Sequence, residues 1–236
     1  MNQYRRRFLV VAGVTIAAAA MPFTAHSAEK IKIGIIGSGK VGSALGTTWV
    51  KAGHEVMFSS RHIEHDQALA DSLGGGARAG TPREAAAFGD VLLVAVPYGA
   101  LPDVGEDLAG LIDGKVIIDA CNPFPNRDGE VADWALEKGA GYASAELLPG
   151  AHIVRAFNAI GAASMGSAHQ EPGRIGMPIA GDNAEAVAVA SSLIVEIGYE
   201  PVLIGGLEMG KYLMPRTVLG GERSADEIRQ IAAELD

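Results

Sequence analysis

The stretch Ile33-Gly34-Ile35-Ile36-Gly37-Ser38-Gly39-Lys40-Val41-Gly42 decides how the rest of the chain is read. Residues 31–36 form a short apolar run, β-branched at most positions, of the kind that fills a strand buried on both faces. Helical spacing begins at Lys40, runs to Ala52 and stops at Gly53. Between the two lies the pattern G-x-G-x-x-G. Gly37 permits a tight turn, Gly39 lets the backbone approach a ligand, and Gly42 allows close contact of helix and strand. The free N–H groups and dipole of the helix start then face an anion. On its own the pattern specifies no more than a tight turn. Between a strand and a helix it predicts a pyrophosphate site for a dinucleotide, built by Gly37, Ser38, Gly39, Lys40, Val41 and Gly42.

Outward from this loop, short apolar runs alternate with helical patterns. Strands are predicted over 55–58, 91–96, 116–119 and 153–157, and helices end at Leu73 and cover 82–88, 101–111 and 133–138. Gly74-Gly75-Gly76 is a turn, and 122–129 reads as a Pro-rich loop. The rhythm loosens after Asn158, where strands are expected over 177–180 and 201–204 with an Ala/Val-rich helix over 183–197 between them. The last helix, 224–235, carries a capping box of Ser224 and Glu227. This order predicts an α/β protein: a Rossmann-type doubly wound parallel sheet over 28–157, with a small C-terminal α/β extension over 158–236.

Composition narrows the function. The 236 residues are 48% hydrophobic and only 6% aromatic, and the net charge is −9. An acidic chain poor in aromatic residues argues against a nucleic-acid partner. The single Cys excludes an intramolecular disulfide and any multi-Cys metal site, and His62 and His65 lack the further ligands a metal would need. Residues 1–27 read as an export signal, with Arg5, Arg6 and Arg7 before an apolar stretch and Ala25-His26-Ser27 before the cleavage point. Arg5-Arg6-x-Phe8-Leu9 resembles the twin-arginine signal, a route for folded proteins. The expected location is therefore the periplasm, with no stable membrane insertion after cleavage; an ordinary secretory signal or an uncleaved anchor is the alternative.

The end of the second strand separates the two nicotinamide cofactors. NAD sites place Asp or Glu there to accept the ribose hydroxyls. Ser59, Ser60 and Arg61 stand there instead, a set suited to a 2′-phosphate and hence to NADP(H). Glu64 and Asp66 lie just beyond and could reach a ribose instead, but are expected on the exposed face of the next helix. Two further loops close strands at the ligand-binding edge: Val96-Pro97-Tyr98 and Cys121-Asn122-Pro123. Asn122 suits a ribose or carboxamide, and Pro97 and Pro123 fix the chain beside the ring. Tyr98 reads as a proton donor or as a lid residue on the cofactor. Cys121 reads as a nucleophile or as a buried inert thiol.

These markers, with Asp119 before Asn122-Pro123, Val154-Arg155-Ala156-Phe157-Asn158, and Gly181-Asp182-Asn183 before a helix, resemble the NADP oxidoreductases that use the deazaflavin coenzyme F420. More distantly they resemble the nucleotide domains of STEAP-type ferric reductases. The resemblance implies that Ser60 and Arg61 hold the 2′-phosphate, that Val96, Pro97 and Asn122 lie along the nicotinamide riboside, and that Asn158 and Ile160 of the extension face the acceptor. Asn158 stands where some relatives carry His. The implied activity is hydride transfer between NADP(H) and a small-molecule electron acceptor, with F420 or a flavin as co-substrate. A flavin/ferric reductase and a non-catalytic NADP-binding sensor stand as alternatives, and a homodimer stays open. No catalytic acid–base residue and no metal ligand is assigned.

Overall fold

The computed structural model describes residues 30–166 and 175–235. The expected export signal at 1–27 lies outside the described residues. Eight strands form one sheet: β1 (Lys32–Ile36), β2 (Glu55–Ser59), β3 (Ala77–Ala79), β4 (Val91–Val94), β5 (Val116–Asp119), β6 (His152–Arg155), β7 (Ile175–Gly181) and β8 (Tyr199–Leu203). Their spatial order is β3-β2-β1-β4-β5-β6-β7-β8. The strands from β3 to β6 pair in parallel. The chain builds outward from β1 on one side, then returns to place β4 on the other. That reversal opens a crevice at the carboxyl ends of β1 and β4, where sheets of this kind bind ligands.

Helices cover both faces. On one face α1 (Lys40–Ala52) and α9 (Ala184–Glu196) bury Leu45, Trp49, Leu193 and Ile194 against Ile33, Ile35, Val56 and Phe58. On the other, α3 (Pro82–Phe88), α4 (Leu101–Asp107), α6 (Glu130–Lys138) and α7 (Ala140–Leu147) cover Ile36, Leu92, Val94 and Ile117. With apolar side chains required on both faces, the strands read as continuous runs. Small residues bring the layers close: a Cβ at Gly34 would lie 2.2 Å from the Ala85 carbonyl oxygen of α3. The helix α3 starts on a capping box of Thr81 and Glu84, and α10 (Ala225–Ala232) on the expected one of Ser224 and Glu227.

The extension is part of the same sheet. β7 runs antiparallel to β6 through Val154↔Gly181 and Arg155↔Ala180, and β8 pairs parallel to β7. The helix α9 reaches back across this seam. Its Leu193 carbonyl accepts the Trp49 indole N–H at 2.9 Å, and its Glu196 pairs with the buried His54 at the start of β2.

Several local expectations change. The strand expected to reach Val96 ends at Val94, because Pro97 has no N–H and the chain turns into a 3-10 segment at Tyr98–Ala100. The Pro-rich loop contains one helical turn, α5 (Pro125–Asp128). The strand β3 and helix α7 were not expected. Among the described residues no helix is long and apolar enough to cross a membrane.

The tight contact at Gly34 gives a direct check. The substitution Gly34→Ala is expected to cost about 1–3 kcal/mol by overpacking against the backbone of α3, measured as a lower midpoint of chemical denaturation with an unchanged slope.

Candidate functional site

A cleft of about 990 Å³ opens at the carboxyl edge beside β1, β2 and β4. Gly37, Ser38 and Gly39 form its floor, Ser60 and Arg61 one end, and Ala95, Val96 and Pro97 one wall. The opposite wall is α4, through Asp103 and Val104, with Leu108 just past its end, and Arg127 and Asp128 close the far end. Its size is at the upper end for small-molecule and cofactor sites.

The glycine loop uses its three glycines differently. Gly37 has φ 99°, and its N–H and that of Ser38 donate to the Ser59 carbonyl at 2.9 and 3.0 Å. This turn is therefore held by β2. A Cβ at Gly42 would sit 2.2 Å from the Gly37 carbonyl oxygen, so α1 packs against the loop without a side chain between them. Gly39 is different. It has ordinary extended backbone as the N-cap of α1, and a Cβ there would meet nothing within 4 Å. The protein's own atoms do not require glycine at this place, whereas close approach of a ligand does. The helix also starts with no side-chain cap and no acidic residue in its first turn, leaving its N–H groups for an anion. These features fit a dinucleotide pyrophosphate. Lys40 is exposed and Val41 half-buried at the helix start.

At the ribose end the structure redistributes roles. Arg61 is exposed on the cleft, and His62 and His65 line it as well. Ser59 is wholly buried, and its hydroxyl donates to the Ile35 carbonyl at 2.6 Å. It supports the strand pair and does not face the cleft. Asp66, expected on an exposed face, is also wholly buried. It lies in the first turn of α2 (Ile63–Leu73), where it accepts from the Ser38 hydroxyl and, at 2.8 Å, from the Ser60 hydroxyl. Helical position put it on the inner face of α2, and two hydroxyls replace the water it lost.

Tyr98 requires a correction. Its ring is fully buried. Its hydroxyl contacts the Ala140 carbonyl at 3.1 Å and the Ser144 hydroxyl at 3.0 Å. Burial above all, and then Asp119, push its ionisation well above the usual tyrosine range. It is neither a lid nor a proton donor; it pins the 3-10 segment to α7. Cys121 is buried too, and burial followed by the Asp119 charge pushes its thiol up. It is the inert thiol of the two alternatives.

The loop after β5 is held by a network that was not legible beforehand. Arg155 and Asp119, both wholly buried, pair at 2.5 Å. Asp119 also accepts the Cys121 N–H at 2.8 Å, and Arg155 donates to the Cys121 carbonyl at 3.1 Å. The Asn158 amide donates to the Asp119 and Cys121 carbonyls at 3.0 and 3.1 Å, and the Asn122 amide donates to the Asn158 carbonyl at 2.8 Å. Both amide orientations are thereby set. The side-chain carbonyl oxygens of Asn122 and Asn158 are buried without a partner, and neither residue is among those lining the cleft. Pro123 is buried beside them. Phe157, at φ 67°, turns the chain into this loop and is locked edge-on between Trp49 and Tyr199. Ile160 packs into the core with these rings, so its side chain presents no surface for an acceptor. Farther along, burial opposes ionisation of Asp128. Hydrogen bonds from Arg127 and the Phe124 and Gly99 N–H groups outweigh that and hold its carboxyl below the usual range.

The fold and this edge fit a nicotinamide dinucleotide. Residues 32–123 match the family described as NADP oxidoreductase, coenzyme F420-dependent. Over these residues the chain is similar to that family. It is 31% identical over 182 residues to the metalloreductase STEAP3 of Rattus norvegicus, covering 76% of this chain and spanning 35% of the length of that protein. Among solved structures, a hypothetical protein of Sinorhizobium meliloti is 26% identical with a TM-score of 0.66, over 81% of this chain and 93% of that one. A protein of Arthrobacter sp. FB24, provisionally named an F420-dependent NADP-reductase, shares the fold at 21% identity and a TM-score of 0.63, over 77% and 87% of the two chains.

The buried Tyr98 hydroxyl separates scaffold from site. Tyr98→Phe is expected to lower stability by about 1 kcal/mol and to leave nucleotide affinity unchanged, checked by denaturation and calorimetry on the same preparation.

Proposed function

We propose that the protein moves a hydride between NADP(H) and a planar flavin-like acceptor, with the deazaflavin F420 as the acceptor to which the matched family points. The nicotinamide ring supplies the hydride chemistry when bound; the chain binds, orients and excludes water. In this reading the N–H groups at Gly39, Lys40 and Val41 receive the pyrophosphate. Arg61 pairs with the 2′-phosphate, with Ser60 beside it. Val96 and Pro97 bound the riboside. Asn122 lies along the riboside and Asn158 toward the acceptor. No acid–base side chain is assigned. The export signal expected at 1–27 supports a periplasmic site of action.

The observation that carries the reading is the room above Gly39, bounded by an uncapped helix start and an exposed guanidinium at the end of β2. The likeness to a metalloreductase favours a second reading, in which a flavin reduced at this site passes electrons to ferric iron.

Steady-state NADPH oxidation in the presence of F420, FMN, FAD or a ferric chelate tests both. Turnover with F420 alone supports the first, and turnover with ferric chelate only when flavin is added supports the second. Tight NADPH binding with no acceptor reduced rejects them together. Arg61→Ala is expected to weaken NADPH binding by about 1.5–3 kcal/mol, the range for hydrogen bonds to charged groups, with little effect on NADH. An equal loss for both nucleotides would contradict the 2′-phosphate role.

A further inference from the structure

We propose that Asp66 is a positioning residue for cofactor choice: acting through Ser60, it opposes Arg61 and leaves the site able to take NADH as well as NADPH. The proposal rests on the assignment of the cleft to a nicotinamide dinucleotide.

The argument is one of counting protons. The Asp66 side chain is wholly buried. One of its oxygens accepts from the Ser38 hydroxyl of the glycine loop, and the other accepts from the Ser60 hydroxyl at 2.8 Å. A hydroxyl has one proton to give, and a carboxylate can only accept. Both serine protons that border the cleft are therefore spent on Asp66. The Ser60 oxygen also accepts the His62 N–H at 3.0 Å. What it still offers a ligand is a lone pair. A ribose 2′-hydroxyl can donate to that lone pair, whereas a 2′-phosphate dianion has nothing to donate.

Charge acts in the same direction. Among the described residues, no Lys or Arg stands within ion-pairing distance of Asp66. The nearest basic group is the exposed His65 ring, its Nδ1 3.6 Å away. A carboxylate one hydroxyl removed from the ribose end repels a second anion there, while Arg61 attracts it. NAD sites achieve the first effect with an acidic residue at the end of the second strand. Here the acidic residue stands one helical turn into α2 and reaches the same place through Ser60.

Calorimetric titration of the full chain with NADPH and with NADH tests this without relying on turnover. The wild-type protein is expected to prefer NADPH by less than about tenfold, since Asp66 offsets much of one charge-assisted bond. The variant Asp66→Asn removes the charge and can donate to Ser60, releasing the serine proton for phosphate. It is expected to raise the NADPH-to-NADH affinity ratio by about tenfold; Asp66→Ser, neutral and smaller, should move the ratio the same way. A merely structural role would weaken both nucleotides alike. A wild-type preference well above tenfold, or a ratio unmoved or lowered in a folded variant, overturns the proposal. Failure of the wild type to bind either nucleotide overturns the cofactor assignment itself, and the proposal with it.

Discussion

A carboxylate taken out of water must be repaid with donors, and at the carboxyl edge of this sheet three of them organise the loops. Asp119 is met by Arg155 and the Cys121 N–H, Asp66 by two serine hydroxyls, and Asp128 by Arg127 and the Phe124 N–H. Each joins segments that the sheet alone would leave loose. Asp66 ties the glycine loop to the ribose loop. Asp119 ties the end of β5 to β6 and, through Cys121, to the loop that carries Asn122. Asp128 braces the turn at the far end of the cleft. Removing one partner of the Asp119–Arg155 pair would strand a buried charge, at a cost of about 3–5 kcal/mol. The geometry of the cleft depends on these three groups more than on any single hydrophobic contact.

The parts of the fold that were legible beforehand are those written in local pattern. Apolar runs such as Val91–Val94 and Val116–Asp119 announce strands covered on both faces, and the glycines between β1 and α1 announce the turn. The capping box before α10 was readable for the same reason: its two residues are three apart. The helix α7 was not readable, because its sequence, AGYASAEL, has little contrast between faces. It packs through small residues, with Gly141 so near Leu207 that a Cβ would lie 2.2 Å from its carbonyl oxygen. A three-residue strand such as β3 carries no period at all. Nor does a run of apolar residues state its direction, so the antiparallel entry of β7 became visible only in three dimensions.

The site divides along the same line. Gly37, Gly39, Arg61, Val96 and Pro97 were placed from spacing after a strand, and the structure brings them to one cleft. Ser59, Tyr98 and Ile160 sit at the right points in the chain but turn inward, and alternation along a strand or turn could not say which way. Asp66 misled most, since a charged residue in the first turn of a helix ordinarily faces water. Its partners lie 28 and 6 residues before it. That pairing is a property of the folded loops, and no local signal carries it.

The rivets between α9 and the first half of the chain bear on what could be cut away. The region matched to the family ends at residue 123, and the glycine loop is complete long before that. Yet Trp49 gives its indole proton to Leu193, and His54 leans on Glu196. A chain excised after Asn158 would keep the glycine loop and Arg61 and lose the helix that packs on β5, β6 and Trp49. The nucleotide half is thus a motif that can be recognised alone but is not a module that can be transplanted alone.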